Sequence, residues 1–315
     1  FFSYFFLSPS YSMLVFVLGM VKVIENSSDI CHGFFQRNFQ IQQIVYSRVF
    51  RSITSPILFL VMFFSTENIV FASAGLIISL LFTFYFFDKK VLAQQNIQLL
   101  SIIPFYFFKK IVLKAAPMGV ATVLVILVVN IPLFILKQSV SDTTLGMYAS
   151  IFYFVTAGSL VFQSAMQVIS PILMKSIKDG SYKAAKHLMI KSYLMATVFG
   201  VLGIVLASAL GSYVLMLLYG DTFEHLGELL ILASLINLAL ALQSVGGIAL
   251  TSFGIFKYQM YCMLFAIPVC YYTSTYFISF LGIRGALYAG ALTSFIIAGL
   301  FLFKSLNRLN EIEKN

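Results

Sequence analysis

The stretch Ala115–Leu136, AAPMGVATVLVILVVNIPLFIL, carries no charged residue and is bracketed by Lys114 and Lys137. At a helical rise of about 1.5 Å per residue, a run of this kind crosses the roughly 30 Å hydrocarbon core of a bilayer. Apolar side chains cover every face of it, so no side is left for water. Lipid is the solvent that such a helix requires.

Eight further stretches have the same character. They are Tyr4–Ile24, Ile53–Ser65 (with a basic helical lead-in from Val45), Ile69–Phe87, Tyr148–Ser170, Ser192–Leu210, Glu228–Ser252, Gln259–Phe280 and Gly285–Phe303. The expected fold class is all-α: a polytopic membrane helical bundle of about nine transmembrane helices. Composition agrees. The 315 residues are 60% hydrophobic and only 10% charged, with a mean hydropathy of +0.97. A soluble domain carries about 25% charge, the amount needed to cover a wet surface.

The charges alternate. Lys22, Arg37, Arg48 and Arg51 follow the first span, and Lys89, Lys90, Lys109, Lys110 and Lys114 follow the third. Lys175, Lys178, Lys183, Lys186 and Lys191 follow the fifth, Lys257 the seventh, and Lys304, Arg308 and Lys314 form the tail. Of the 20 Lys and Arg, only Lys137 and Arg284 fall in the intervening gaps. The positive-inside rule then puts the C-terminus in the cytoplasm and the start of the first span outside. A net charge of +9 would point a soluble chain toward nucleic acid. Here it serves topology and anionic headgroups, and no nucleic-acid partner is expected.

Other features are bland. Cys31, Cys262 and Cys270 read as small core residues. There is no Trp, so the 17 Tyr provide the interfacial anchors. His32, His187 and His225 have no metal-ligand spacing, and no metal or cofactor is expected. The sequon Asn26-Ser27-Ser28 lies on the predicted cytoplasmic side. No Asp or Glu falls at the centre of a span. Two cytoplasmic loops, Asp88–Lys110 and Ser176–His187, are long enough to hold helices lying in the interface and suit anionic headgroups, and the first reads equally as a linker. The chain begins at Phe1 inside an apolar run, and is expected to be a fragment with an odd number of spans before it. Spans one to three faintly echo spans seven to nine, as in transporters built from repeats.

Five motifs then fall in order: Gly33-Phe34-Phe35-Gln36-Arg37, Pro117-Met118-Gly119, the Gln163/Gln167 face leading to Pro171, Tyr219-Gly220-Asp221-Thr222-Phe223, and Gly282-Ile283-Arg284-Gly285-Ala286. Together they resemble the Wzx-type polysaccharide flippases of the multidrug/oligosaccharidyl-lipid/polysaccharide exporter superfamily. The resemblance implies a two-lobed transporter of twelve helices, of which this chain holds the last nine. Residues 1–87 would end the first lobe, 88–112 link the lobes, 113–303 form the second lobe, and 304–315 a cytoplasmic tail. It also implies no enzymatic activity, a place in the bacterial inner membrane, and flipping of an undecaprenyl-pyrophosphate-linked glycan by alternating access. Membrane lipids, a polysaccharide polymerase and glycosyltransferases are the implied partners.

A pyrophosphate and a glycan need donors in a wet cavity, because an unpaired anion in hydrocarbon is prohibitively costly. Arg48 and Arg51, with Lys22 and Lys114, are expected either to form a phosphate site at the inner mouth or to be snorkelling topology charges. Asn130, Ser159, Gln163, Gln167 and Asn237, with Ser234 and Ser244, are expected either to contact sugar or to hydrogen-bond between helices. A multidrug or other lipid exporter of the same superfamily is the alternative. A membrane polymerase or acyltransferase is remote, since no span centre holds a His and the outer loops are small.

Overall fold

The computed structural model describes residues 9–89 and 104–314. Every regular element among them is helical, and the chain divides into two compact units, 1–103 and 104–315.

Unit 1 contains α1 (Pro9–Arg37), α2 (Ile41–Thr66) and α3 (Ile69–Thr83), which widens into a π-helical turn, Phe84–Lys89. Helix α2 qualifies as a span by length and hydropathy, as does α3 together with its π-helical turn (Ile69–Lys89). The described part of α1 does not qualify, and it carries Lys22, Glu25, Asp29 and Arg37 from about its middle onward. The predicted first span begins at Tyr4, outside the described residues. The charged stretch from Lys22 to Arg51 forms a helical hairpin. α1 runs on to Arg37 and reverses through Asn38–Gln40, with the Gln40 amide donating to the Phe35 carbonyl at 2.8 Å. Phe39 takes the left-handed conformation there (φ 57°), and Phe35 is fully buried. α2 and α3 are clasped by hydroxyls. Ser79 Oγ lies 2.6 Å from Thr54 Oγ1 and 3.0 Å from Ser55 Oγ.

Unit 2 contains α4 (Phe105–Ser139), α5 (Asp142–Lys178), α6 (Tyr182–Tyr219), a 3-10 turn (Asp221–Leu226), α7 (Gly227–Ser252), α8 (Phe256–Leu281) and α9 (Ile283–Lys314). All six helices qualify as spans. They are longer than the apolar runs. α6 has 38 residues, a length of about 57 Å at the usual rise. The Ser176–His187 segment is therefore no separate interfacial loop. α5 continues through Lys178, and α6 starts at Tyr182. Most of the expected Asp88–Lys110 interfacial segment lies outside the described residues, but Phe105–Lys110 is the first part of α4.

Short turns make successive helices antiparallel, so Lys109, Lys110, Lys114, Lys175, Lys178, Lys183, Lys257 and Lys304 gather at one end of unit 2. Lys137 and Arg284 stand at the other. α7 is the central helix. Over half of its apolar window (56%) is buried, against 11% for α6, and it packs on α5, α6 and α9. α4 packs on α8, and α8 on α9. The core converges at the Lys137–Arg284 end, where Leu136, Tyr148, Leu215, Leu229, Ile278 and Leu287 pack together.

Candidate functional site

α4 and α5 meet near Leu136 and Tyr148, beside a turn of only Val140 and Ser141, yet touch little elsewhere. Toward the lysine-bearing end they part and leave a cavity of about 420 Å³. That is within the range of ligand cavities. α4 contributes Met118, Thr122 and Val125, and α5 contributes Phe152, Thr156, Ser159 and Gln163. α7 contributes Leu240, Gln243 and Ser244, α8 Gln259 and Met263, and α9 Phe301.

Polar side chains of this wall reach outward from helices whose own backbone bonds are made. Thr122 Oγ1 donates to the Met118 carbonyl at 3.0 Å, Thr156 Oγ1 to Phe152 at 3.2 Å, and Ser159 Oγ to Thr156 at 2.8 Å. Their protons are committed locally, so these hydroxyls offer lone pairs to the cavity. The glutamines supply amides. Gln163 is exposed on α5. Gln243 Oε1 is buried with no hydrogen-bond partner. Gln259 Nε2 donates to the Gly247 carbonyl at 2.8 Å and to Thr251 Oγ1 at 3.0 Å, which ties α8 to α7. The wall is apolar with hydroxyl and amide groups, and none of its side chains is charged.

Among the residues expected from sequence, Ser159 and Gln163 reach this wall together with Ser244. Gln167, a turn further along α5, lies outside it. Asn130 sits on a neighbouring hollow of about 200 Å³ with Leu133 and Tyr153, and its Nδ2 donates to the Ile126 carbonyl of its own helix at 2.8 Å. Asn237 packs elsewhere. Its Nδ2 donates to the Phe154 carbonyl of α5 at 3.2 Å, and its amide lies directly over Gly158, where a β-carbon would collide with it. Gln243 and Gln259 were not singled out in the sequence. Their signal was present, since each is an amide inside an apolar helix, but a lone glutamine has no periodic partner.

The expected cationic residues separate. Lys22, Arg48 and Arg51 belong to unit 1 and Lys114, exposed near the start of α4, to unit 2. In unit 1 the three cations surround Glu25. Lys22 Nζ lies 2.5 Å from Glu25 Oε2, Arg51 lies 3.4 Å from Oε1, and the Arg48 charge acts on the same carboxylate. Three positive groups about one negative group leave a positive local field. Asp88, at the end of the third predicted span, is completely buried.

This arrangement of helices is similar to that of solved MATE transporter structures. It superposes on the outward-facing conformation of a multidrug resistance MATE family transporter of the MOP superfamily with a TM-score of 0.77, covering 91% of this chain and 67% of that one at 11% identity. The crystal structure of a MATE point mutant gives 0.82 over 96% of this chain and 70% of that one, also at 11% identity. The bent form of the Vibrio cholerae transporter VcmN gives 0.71 over 96% and 70%, at 12% identity. In sequence, the chain is 25% identical over 221 residues to the capsular polysaccharide biosynthesis protein CapF of Staphylococcus aureus. That match takes in 70% of this chain and spans 56% of the length of that relative. No family model matches the sequence.

Proposed function

We propose that this chain moves a lipid-linked oligosaccharide across the bacterial inner membrane by alternating access, as a step in polysaccharide biosynthesis. The observation that carries this reading is the unit 2 cavity, whose hydroxyls and amides suit a glycan and whose wall offers an ion no counter-charge. The similarity to a capsule-biosynthesis protein supports it from a separate direction. On this reading unit 1 is the end of a first lobe, the 88–112 segment is the inter-lobe linker, unit 2 is a second lobe, and the tail from Lys304 is cytoplasmic. The positive field about Glu25 in unit 1 suits the pyrophosphate of an undecaprenyl-linked substrate, separately from the glycan cavity.

One observation favours a second reading, an exporter of amphipathic small molecules. The Asp88 carboxylate is completely buried, and buried carboxylates in membrane transporters mark ion or proton pathways. Export assays separate the two readings. Cells lacking their flippase and expressing the full gene should regain surface glycan, and loss of the gene should leave lipid-linked units on the cytoplasmic leaflet. Normal glycan export in a clean deletion without a paralogue removes the flippase reading. Drug accumulation on deletion, with glycan unchanged, supports the exporter.

A further inference from the structure

Unit 1 buries a titratable cluster away from its cationic group. Asp88, on the π-helical turn, is fully buried, and neither carboxylate oxygen makes a hydrogen bond. Its ionic neighbour is His32 of α1, whose Nε2 lies 3.3 Å from Asp88 Oδ1. Ser47 of α2 holds the same nitrogen at 3.2 Å, and Phe35 packs beside the ring. The other ring nitrogen, Nδ1, faces Asp29 Oδ1 at 3.7 Å, and the Asp29 side chain is 53% exposed. Three elements thus hold one imidazole between an exposed carboxylate and a buried one.

Surrounding charges do not complete the set. Lys89, next to Asp88, lies over the Tyr85 ring at 4.7 Å. Lys22, Arg48 and Arg51 gather around Glu25, about two helical turns back along α1. Ser28 and Cys31 of α1 are also buried and carry no charge. A carboxylate taken out of water without a strong partner is costly unless it is neutralised.

We propose that Asp29, His32 and Asp88 form a proton-binding relay in unit 1. A proton arriving from water at Asp29 passes to Nδ1, so an O–H bond breaks as an N–H bond forms. The imidazolium then releases its Nε2 proton to Asp88, where a carboxyl O–H bond forms. One proton has moved from the exposed carboxylate to the buried one, and His32 is neutral before and after, in opposite tautomers. Ser47 keeps the ring aimed along this line.

The test uses the full chain in lipid nanodiscs with isotope-labelled histidine. The chain has three His, and His32→Gln identifies the signal of interest. Ring nitrogen shifts of His32 are followed over about pH 5 to 8, the window in which imidazoles exchange protons, and the midpoint of their change is read. Asp88→Asn should lower that midpoint by about one pH unit or more, because the opposing charge is gone. Asp29→Asn should lower it less, given the longer and wetter contact. A His32 signal constant across the range, or a midpoint indifferent to Asp88→Asn, overturns the relay. Should Asp88→Asn not fold, proton uptake after an acid pulse decides. His32→Gln should take up about one proton fewer per chain over the same range, and equal uptake refutes the proposal. Coupling to transport rests on the reading above. It would appear as loss of pH-gradient dependence of export in Asp88→Asn. Export equally sensitive to the gradient in the variant would detach the relay from the cycle and leave the transport reading standing.

Discussion

Gly158 on α5 and Asn237 on α7 occupy one contact, and their substitutions should not add. A β-carbon at Gly158 would meet three atoms of Asn237 first: Nδ2, Cγ and Oδ1. The Gly158→Ala variant must therefore push the amide aside or part the helices. Overpacking of this kind costs about 1–3 kcal/mol. It also threatens the 3.2 Å bond from Asn237 Nδ2 to the Phe154 carbonyl, worth about 0.6 kcal/mol for a hydrogen bond between membrane helices. Asn237→Ala should be mild. It loses that bond, but it also removes Oδ1, a buried acceptor with no partner, and such a deletion recovers part of the loss. The double variant removes all three of these Asn237 atoms. It should be more stable than Gly158→Ala alone, with a coupling of about 1–2 kcal/mol. Equilibrium unfolding of the reconstituted protein, read by steric trapping or by denaturant titration in detergent, measures all four corners of the cycle. Additive losses would refute the packing argument and return Asn237 to the pool of substrate-binding residues.

At the α8–α9 turn, a β-carbon at Gly285 would strike the Phe277 carbonyl group and come within 2.7 Å of the Ile278 amide nitrogen. That is backbone and cannot swing away, so Gly285→Ala should cost at least about 1–3 kcal/mol and lower the melting temperature in detergent. Gln243→Met keeps the side-chain volume and removes a buried unpartnered oxygen. It should hold or raise stability by about 1 kcal/mol while reducing export, and unchanged export would take Gln243 out of the site. Gln163→Ala should reduce export with normal insertion and melting, and full activity would mean that the cavity wall does not touch substrate. Reporter fusions at Lys89 and Lys178 should report the same face of the membrane, and opposite faces would refute the topology read from lysine and arginine.

The spans were legible because a charge-free run such as Ala115–Leu136 has one stable environment. Their ends were not. Lys175, Lys178 and Lys183 look like a loop in sequence, yet lysine is a good helix former and its charge can stand in headgroups while the backbone stays helical. The five motifs divide on inspection. Gly282 and Gly285 are required by the tight α8–α9 turn, where Gly282 has φ 55°, and Tyr219 stacks on Phe223 at 5.0 Å across the turn after α6. A β-carbon at Gly33, by contrast, would meet nothing within 4 Å. Ser159 and Gln163 announced themselves by their four-residue spacing on α5. Gln243 and Gln259 did not, because the wall that joins them spans three or more helices and no periodicity records it. Asp88 sits at the edge of an apolar run, and only the folding of the π-helical turn against α1 and α2 reveals its burial.

The α4 segment that lines the cavity, Met118 to Val129, lies between Pro117 and Pro132. Each proline deletes one rung of the helical ladder, which weakens the helix against bending at that point. α4 is held chiefly by α8 and grips α5 only beside their shared turn. One side of the chamber is thus a jointed stave, fastened along one edge and free along the other. On the transport reading proposed above, moving α4 away from α5 would break few contacts between those two helices, because they meet chiefly beside their shared turn.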